Sequence, residues 1–378
     1  MSFSFFKPSR PKTPQEVVRA IKDSLNALDT ETVVDVKALE KASEEVEKNF
    51  VTLKYMLQGD AEVEPNMEQV SQLAIEICKE DVLTLMVHEL LNLGWAARKD
   101  LVHCWSILLK HKVESTHSCV EYIENHLELL DFLVVSGIAS IVAQDLYLRV
   151  LIKFSVTTWD LFLPLFTSYD SKEIALNCGQ MLRECIKFPT LAKYILESAC
   201  FELFFKFVEL PNFDVASDAF STFKDLLSKH DTIVAEYLTA HYAEFFDLYD
   251  KLLTSPNYVT RRQSVKLLSE FLFEPPNSSI MKRFILEVHY LKVMMTLLKD
   301  SSKTIQIYAF HIFKVFVANP NKPQEVKMIL ARNHEKLVEL LIDLTVGKGS
   351  EDEQFEEEKE MIIKEIVRLS RVPNLLNS

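Results

Sequence analysis

The sequence predicts an all-α protein built from helical repeats, and three observations carry that prediction. Glycine is scarce, with 6 in 378 residues, where about 7% is usual. Tight hairpins and phosphate-cradling loops need glycine at positive φ, so neither is common here. Apolar residues recur at three- and four-residue spacing as far as about residue 345, with no alternating strand segment. Finally, one helical segment returns four times at a nearly constant interval.

The elements follow in order. Residues 1–12 precede any helix signal and are expected to form a flexible arm. The first helix starts at Thr13-Pro14-x-Glu16: Thr13 can cap, Pro14 suits the first helical position, and Glu16 can close a capping box. Helical periodicity then continues between short polar breaks such as "YDSKE", "ELPNFD", "TSPNYV" and "KDSSKT". These breaks frame "IALNCGQMLRECI", "VASDAFSTFKDLL", "VTRRQSVKLLSEF" and "IQIYAFHIFKVFV", which begin at Ile174, Val215, Val259 and Ile305, at intervals of 41, 44 and 46 residues. A small residue falls at the fifth or sixth place (Cys178/Gly179, Ala219, Ser264, Ala309), and a large apolar one at the ninth (Leu182, Phe223, Leu267, Phe313). Small residues let a helix approach its neighbour, and large ones fill the space between repeats. A period of about 40–47 residues lies in the armadillo/HEAT range. The expected fold is therefore a right-handed α-solenoid of armadillo/HEAT-like repeats over 13–345, followed by an acidic linker at 346–354 and a C-terminal helix and tail at 355–378.

Composition excludes several classes. No apolar stretch of signal-peptide length opens the chain. The longest apolar region is broken by Asp145, Arg149, Lys153 and Asp160, so no membrane insertion is expected. Six cysteines without a C-x-x-C pair suggest reduced thiols in a cytoplasmic protein. The net charge of −13, without a basic, aromatic-interleaved motif, speaks against nucleic acid.

One region runs against the acidic balance. Residues 255–340 hold 13 Lys and Arg against 7 Asp and Glu, a local balance of +6. Here "NYVTRRQSVKLLSEF" places Arg261, Arg262 and Lys266 on one helix. The fourth places of the four segments (Asn177, Asp218, Arg262, Tyr308) and the eighth (Met181, Thr222, Lys266, Ile312) are i, i+4 neighbours. They are expected to face the concave groove that stacked repeats create, with Arg262 and Lys266 on its wall. A basic face in an acidic protein suggests an acidic partner surface.

Enzyme signatures are absent. There is no phosphate loop, no G-x-G-x-x-G fingerprint and no G-x-S-x-G. His103, His111 and His117 lie near Cys104 and Cys119, but their spacing fits no zinc pattern. The acidic run at 350–360 lacks the ligand alternation and glycine of a calcium loop. No cofactor and no metal are expected.

The repeat segments, with "KASEEVEKNF" at 41–50 and "LKVMMTLLKDSSKTIQIYAFHIFKVFVANPNK", resemble the calcium-binding protein 39 family. The resemblance covers about 1–135 and 167–370. It implies an armadillo-type scaffold for STE20-family kinases and pseudokinases, which holds the kinase lobe in its active arrangement. By resemblance, Phe213, Tyr258, Arg262 and Lys266 contact the kinase fold. Met295, Arg332 and Lys336 match a pocket for a short aromatic peptide, although Pro275 and Ser278 stand where that pocket expects a basic and an aromatic residue. A second departure is the segment 136–166, "SGIASIVAQDLYLRVLIKFSVTTWDLFLPLF", which the family lacks. It is either an added helix or loop packed on the array, or translated non-coding or alternative-isoform sequence. The expected function is a non-catalytic kinase scaffold in polarity, morphogenesis or cell division. The alternative is a peptide or cargo adaptor that uses the same groove without activating a kinase.

Overall fold

The computed structural model of the chain describes residues 12–28, 36–60, 63–139, 171–344 and 350–372. The described residues form 20 α-helices and a few short 3-10 turns, with no strand beyond an isolated bridge between Val113 and Thr116. They fall into two compact units, 1–225 and 226–378.

In the first unit, α1 (Pro14–Asn26) begins as the sequence predicts. The Thr13 N–H donates to Glu16 Oε2 at 2.8 Å, and the Glu16 N–H donates to Thr13 Oγ1 at 3.3 Å. Helix α2 (Val36–Gln58) is tied to α1 by Asn49, whose buried amide donates to Ala20 O and Ser24 Oγ at 3.0 Å each. Next come α3 (Met67–Lys79), α4 (Val82–His88) and α5 (Trp95–Lys110), then α6 (Ser118–Glu124), α7 (Glu128–Ala139) and α8 (Ser171–Cys185). Helices α9 (Pro189–Glu197), α10 (Phe204–Phe207) and α11 (Phe213–Ser228) complete the series. The second unit contains α12 (Asp231–Ala240), α13 (Tyr242–Leu253), α14 (Tyr258–Phe271), α15 (Ser278–Phe284), α16 (Val288–Leu297), α17 (Lys303–Ala318), α18 (Gln324–Arg332), α19 (His334–Asp343) and α20 (Ser350–Ser370).

From α3 onward these helices group in threes, two shorter and one longer. The longer members pack on one another in sequence: α2 on α5 and α5 on α8 in the first unit, α14 on α17 and α17 on α20 in the second. Within each unit, these successive long helices thus pack against one another, as in a helical-repeat array. The four repeated segments of the sequence are the long helices α8, α11, α14 and α17.

Their small and large places behave as the pattern requires. Cys178, Ala219, Ser264 and Ala309 are buried, as are Leu182, Phe223, Leu267 and Phe313. A Cβ on Gly179 would lie 2.0 Å from Asp218 Oδ2, so a larger residue there would have to displace the Asp218 carboxylate. Trp105 on α5 donates its indole N–H to Met181 O at 3.3 Å. Phe223 sits in a cluster with Phe201, Phe204, Phe205 and Phe220. In the second unit the Tyr249 hydroxyl donates to Ser264 O at 2.8 Å, across the gap the small Ser264 leaves.

Two sequence boundaries differ. Helix α20 starts at Ser350, so the acidic run assigned to a linker belongs to it from there; acidic side chains near a helix N-terminus favour that extension. Residues 136–139 of the segment read as inserted continue α7, whereas 140–166 lie outside the described residues, as do residues 1–11 of the expected arm.

Candidate functional site

Helix α14 carries the cationic stretch, and its start is locally encoded. The Asn257 side chain accepts the Val259 N–H at 2.9 Å, and the Ser255 hydroxyl accepts the Asn257 N–H at 3.0 Å. This cap sets the helical phase. Tyr258, Arg262 and Lys266 then share one face at i, i+4 spacing, and Arg261 points elsewhere.

The structure separates the two adjacent arginines. Arg261 donates from Nε to Asp300 Oδ2 at 2.9 Å and from its NH1 nitrogen to Ser255 O at 2.6 Å. Its pair is largely enclosed, with 20% and 10% of the two side chains exposed. It ties the turn before α14 to the turn before α17. Arg262 is half-buried and has no ion-pair or hydrogen-bond partner among the described residues. Among the described residues, Lys266 has a single loose contact, with Glu270 Oε1 at 3.8 Å, one turn along the same helix. Tyr258 is exposed, and its hydroxyl lies 3.4 Å from Ser302 Oγ. In the next repeat, Tyr308 on α17 holds the place equivalent to Arg262.

The expectation of one continuous free stripe fails at the eighth place. Met181, Thr222 and Ile312 are buried, so only Lys266 remains partly exposed there. At the fourth place Asp218 is engaged by Arg183, whose NH2 nitrogen donates to Asp218 Oδ1 at 2.7 Å. The charge balance also has an internal counterpart. Lys314 pairs with Glu358 at 2.5 Å, and the buried Lys322 pairs with Glu365 at 2.9 Å, both on the acidic α20. The sequence count treated these lysines as available to a partner. Their actual partners lie beyond residue 340, where the window ended.

Phe213 is the first residue of α11, in the first unit, and is strongly exposed. Of the proposed peptide-pocket residues, Met295 on α16 is half-buried, and Arg332 and Lys336 are exposed on either side of the α18–α19 junction. A cleft of about 410 Å³ in the second unit is lined by other residues, among them Ser255, Arg261, His289, Lys292, Val293 and Asp300. Pro275 opens a 3-10 turn and Ser278 begins α15; both are exposed.

The histidines and cysteines near residues 103–119 are not assembled into a site. His111 Nε2 lies 2.9 Å from Ser71 Oγ, His103 meets Gln58, and Cys104 is buried. Among the described residues no group of three or more His, Cys, Asp or Glu side chains is placed to hold a metal. No described helix is long and apolar enough to cross a membrane.

Fold and site together define an all-α helical-repeat protein that presents an exposed tyrosine, an unpaired arginine and a loosely paired lysine on one helix face. The chain belongs to the Mo25-like family, whose sequence model matches residues 4–370. It is 40% identical over 360 residues to the calcium-binding protein 39-like protein of Homo sapiens, covering 95% of this chain and 96% of that protein. It is 40% identical over 369 residues to the Mo25-like protein of Schizosaccharomyces pombe, covering 98% and 100%. The conidiophore development protein hymA of Emericella nidulans is 30% identical over 397 residues, covering 98% and 94%.

Proposed function

We propose that this protein is a non-catalytic, cytoplasmic scaffold that binds an STE20-like kinase or pseudokinase and stabilises its active conformation. The observation that carries the reading is the state of Arg262. A half-buried guanidinium without an internal partner is poorly explained by folding, since such groups gain little from remaining unpaired. Set between Tyr258 and Lys266, it has the composition of a binding hot spot, where tyrosine and arginine are enriched. Its neighbour Arg261 anchors the helix, so the face is held in place before a partner arrives.

The mechanism needs no reacting group on the scaffold. An active kinase requires its αC helix placed so that a Glu pairs with the catalytic Lys. A scaffold that binds this arrangement more tightly shifts the population toward it, by no more than its differential affinity. A tenfold preference corresponds to about 1.4 kcal/mol. The name of the Emericella relative, which refers to conidiophore development, supports a role in morphogenesis.

The test adds purified protein to an STE20-family kinase and reads binding and kinase turnover on the same samples. A scaffold raises turnover as binding saturates. Saturable binding with unchanged turnover would instead establish an adaptor.

A further inference from the structure

The first unit holds a pair of groups that the scaffold reading does not use. All six cysteines are free thiols. Cys104, Cys178, Cys185 and Cys200 are buried. Burial pushes the first three thiols up to about 12 and raises the fourth as well. Such thiols are almost never ionised at neutral pH and are inert toward oxidants in solution.

Cys78 is different. It lies on α3, is only partly buried, and its Sγ is 3.6 Å from Cys119 Sγ on α6. The two helices pack against each other, so the sulfurs belong to one interface. A disulfide needs a separation of about 2.05 Å. The sulfurs must therefore close by roughly 1.5 Å, which side-chain rotation can supply. The two residues are 41 apart in sequence, so a bond would close a loop that contains α4 and α5.

We infer that Cys78 and Cys119 form a reversible intramolecular disulfide that staples α3 to α6, with a small-molecule disulfide such as oxidised glutathione as oxidant. The Cys78 thiolate attacks one glutathione sulfur, the glutathione S–S bond breaks, and one glutathione thiolate leaves. Cys119 then loses its proton and attacks Cys78 Sγ, displacing the second glutathione as a thiolate. Two protein thiols are oxidised and one glutathione disulfide is reduced; the two protons released by the protein neutralise the two glutathione thiolates. The order follows from access. Cys119 is buried, and its thiol is raised by the hydrogen bond with Cys78 and by burial. It is a poor first nucleophile, but it lies within reach of any adduct on Cys78.

The full-length protein is incubated with oxidised glutathione under native conditions, then alkylated after denaturation and mapped by mass spectrometry without reduction. Wild type is expected to fall from six free thiols to four, with Cys78 and Cys119 peptides joined within one chain. Cys78→Ser is expected to keep its five thiols, and Cys119→Ala to stop at a glutathione adduct on Cys78. A wild-type protein that stops at that adduct, joins a different pair, links between chains or keeps all six thiols would overturn the proposal. The wild-type result decides the matter even if a variant folds poorly.

Discussion

Replacing Arg261 and Arg262 one at a time separates a residue that holds the fold from one without an ion-pair or hydrogen-bond partner among the described residues. Arg261→Ala removes the 2.9 Å hydrogen bond to Asp300 and the 2.6 Å donation to Ser255 O. Asp300 is mostly enclosed but keeps the Ser302 N–H at 2.9 Å. It is left under-satisfied rather than orphaned. Hydrogen bonds to charged groups contribute roughly 1.5–3 kcal/mol each. The remaining donor and the partial exposure of Arg261 favour the low end, so the loss for both bonds together is about 2–3 kcal/mol. Arg262→Ala breaks no ion pair or hydrogen bond among the described residues and should stay within about 0.5 kcal/mol of wild type. Urea melts followed by circular dichroism, with hydrogen exchange over 258–271 and 303–318, read both effects. With a slope of about 2 kcal/mol/M, Arg261→Ala should lower the midpoint of the second unit by roughly 1–1.5 M, and its effect on exchange should concentrate in α14 and α17. A comparable shift for Arg262→Ala would refute the division of roles, because it would make Arg262 part of the internal fabric.

Two further outcomes follow from the packing. Gly179→Ala places a Cβ 2.0 Å from Asp218 Oδ2 and strains the Arg183–Asp218 pair; a loss of about 1–3 kcal/mol is expected, and an unchanged thermal midpoint would show that the Asp218 carboxylate moves aside without cost. In α20, hydrogen bonding from Arg368, and then Lys322 acting against the opposing effect of burial, hold the Glu365 carboxyl at about 2. A folded value below the unfolded one, about 4.3, stabilises the fold above that pH, and the contribution is lost as pH falls from there through about 2. Hydrogen exchange over 350–370 should therefore accelerate across that window in wild type and much less in Glu365→Gln, while identical acid profiles would contradict the Lys322–Glu365 latch.

The repeat architecture was legible because it depends on few residues with strict demands. Gly179, Ala219, Ser264 and Ala309 must be small and Leu182, Phe223, Leu267 and Phe313 must fill space, so their spacing survives divergence elsewhere. The long helices α2, α5 and α20 were not found as repeats. They show why: their sequences answer to different neighbours, as in the buried Asn49 of α2 and the buried Lys359 of α20, which donates to Leu344 O at 2.8 Å. The cationic site was legible only in part. Spacing places Tyr258, Arg262 and Lys266 on one face, but whether an arginine is spent internally depends on a partner in the next repeat. Asp300 lies 39 residues from Arg261, and Glu365 lies 43 residues from Lys322, so a local charge count could not pair them. The Cys78–Cys119 approach was invisible for the same reason, being set by the packing of α3 on α6.

The most direct measurement is the turnover of an STE20-family kinase with wild-type protein and with Arg262→Ala, each shown to be folded. The account predicts stimulation by wild type and its loss in Arg262→Ala, with unchanged stability of the variant. A truncation at an interface core of this kind costs ≥2 kcal/mol of binding, roughly a thirtyfold weakening. A folded wild-type protein that leaves turnover unchanged, or an Arg262→Ala variant that stimulates as well as wild type, would contradict the claim that α14 is the kinase-facing surface.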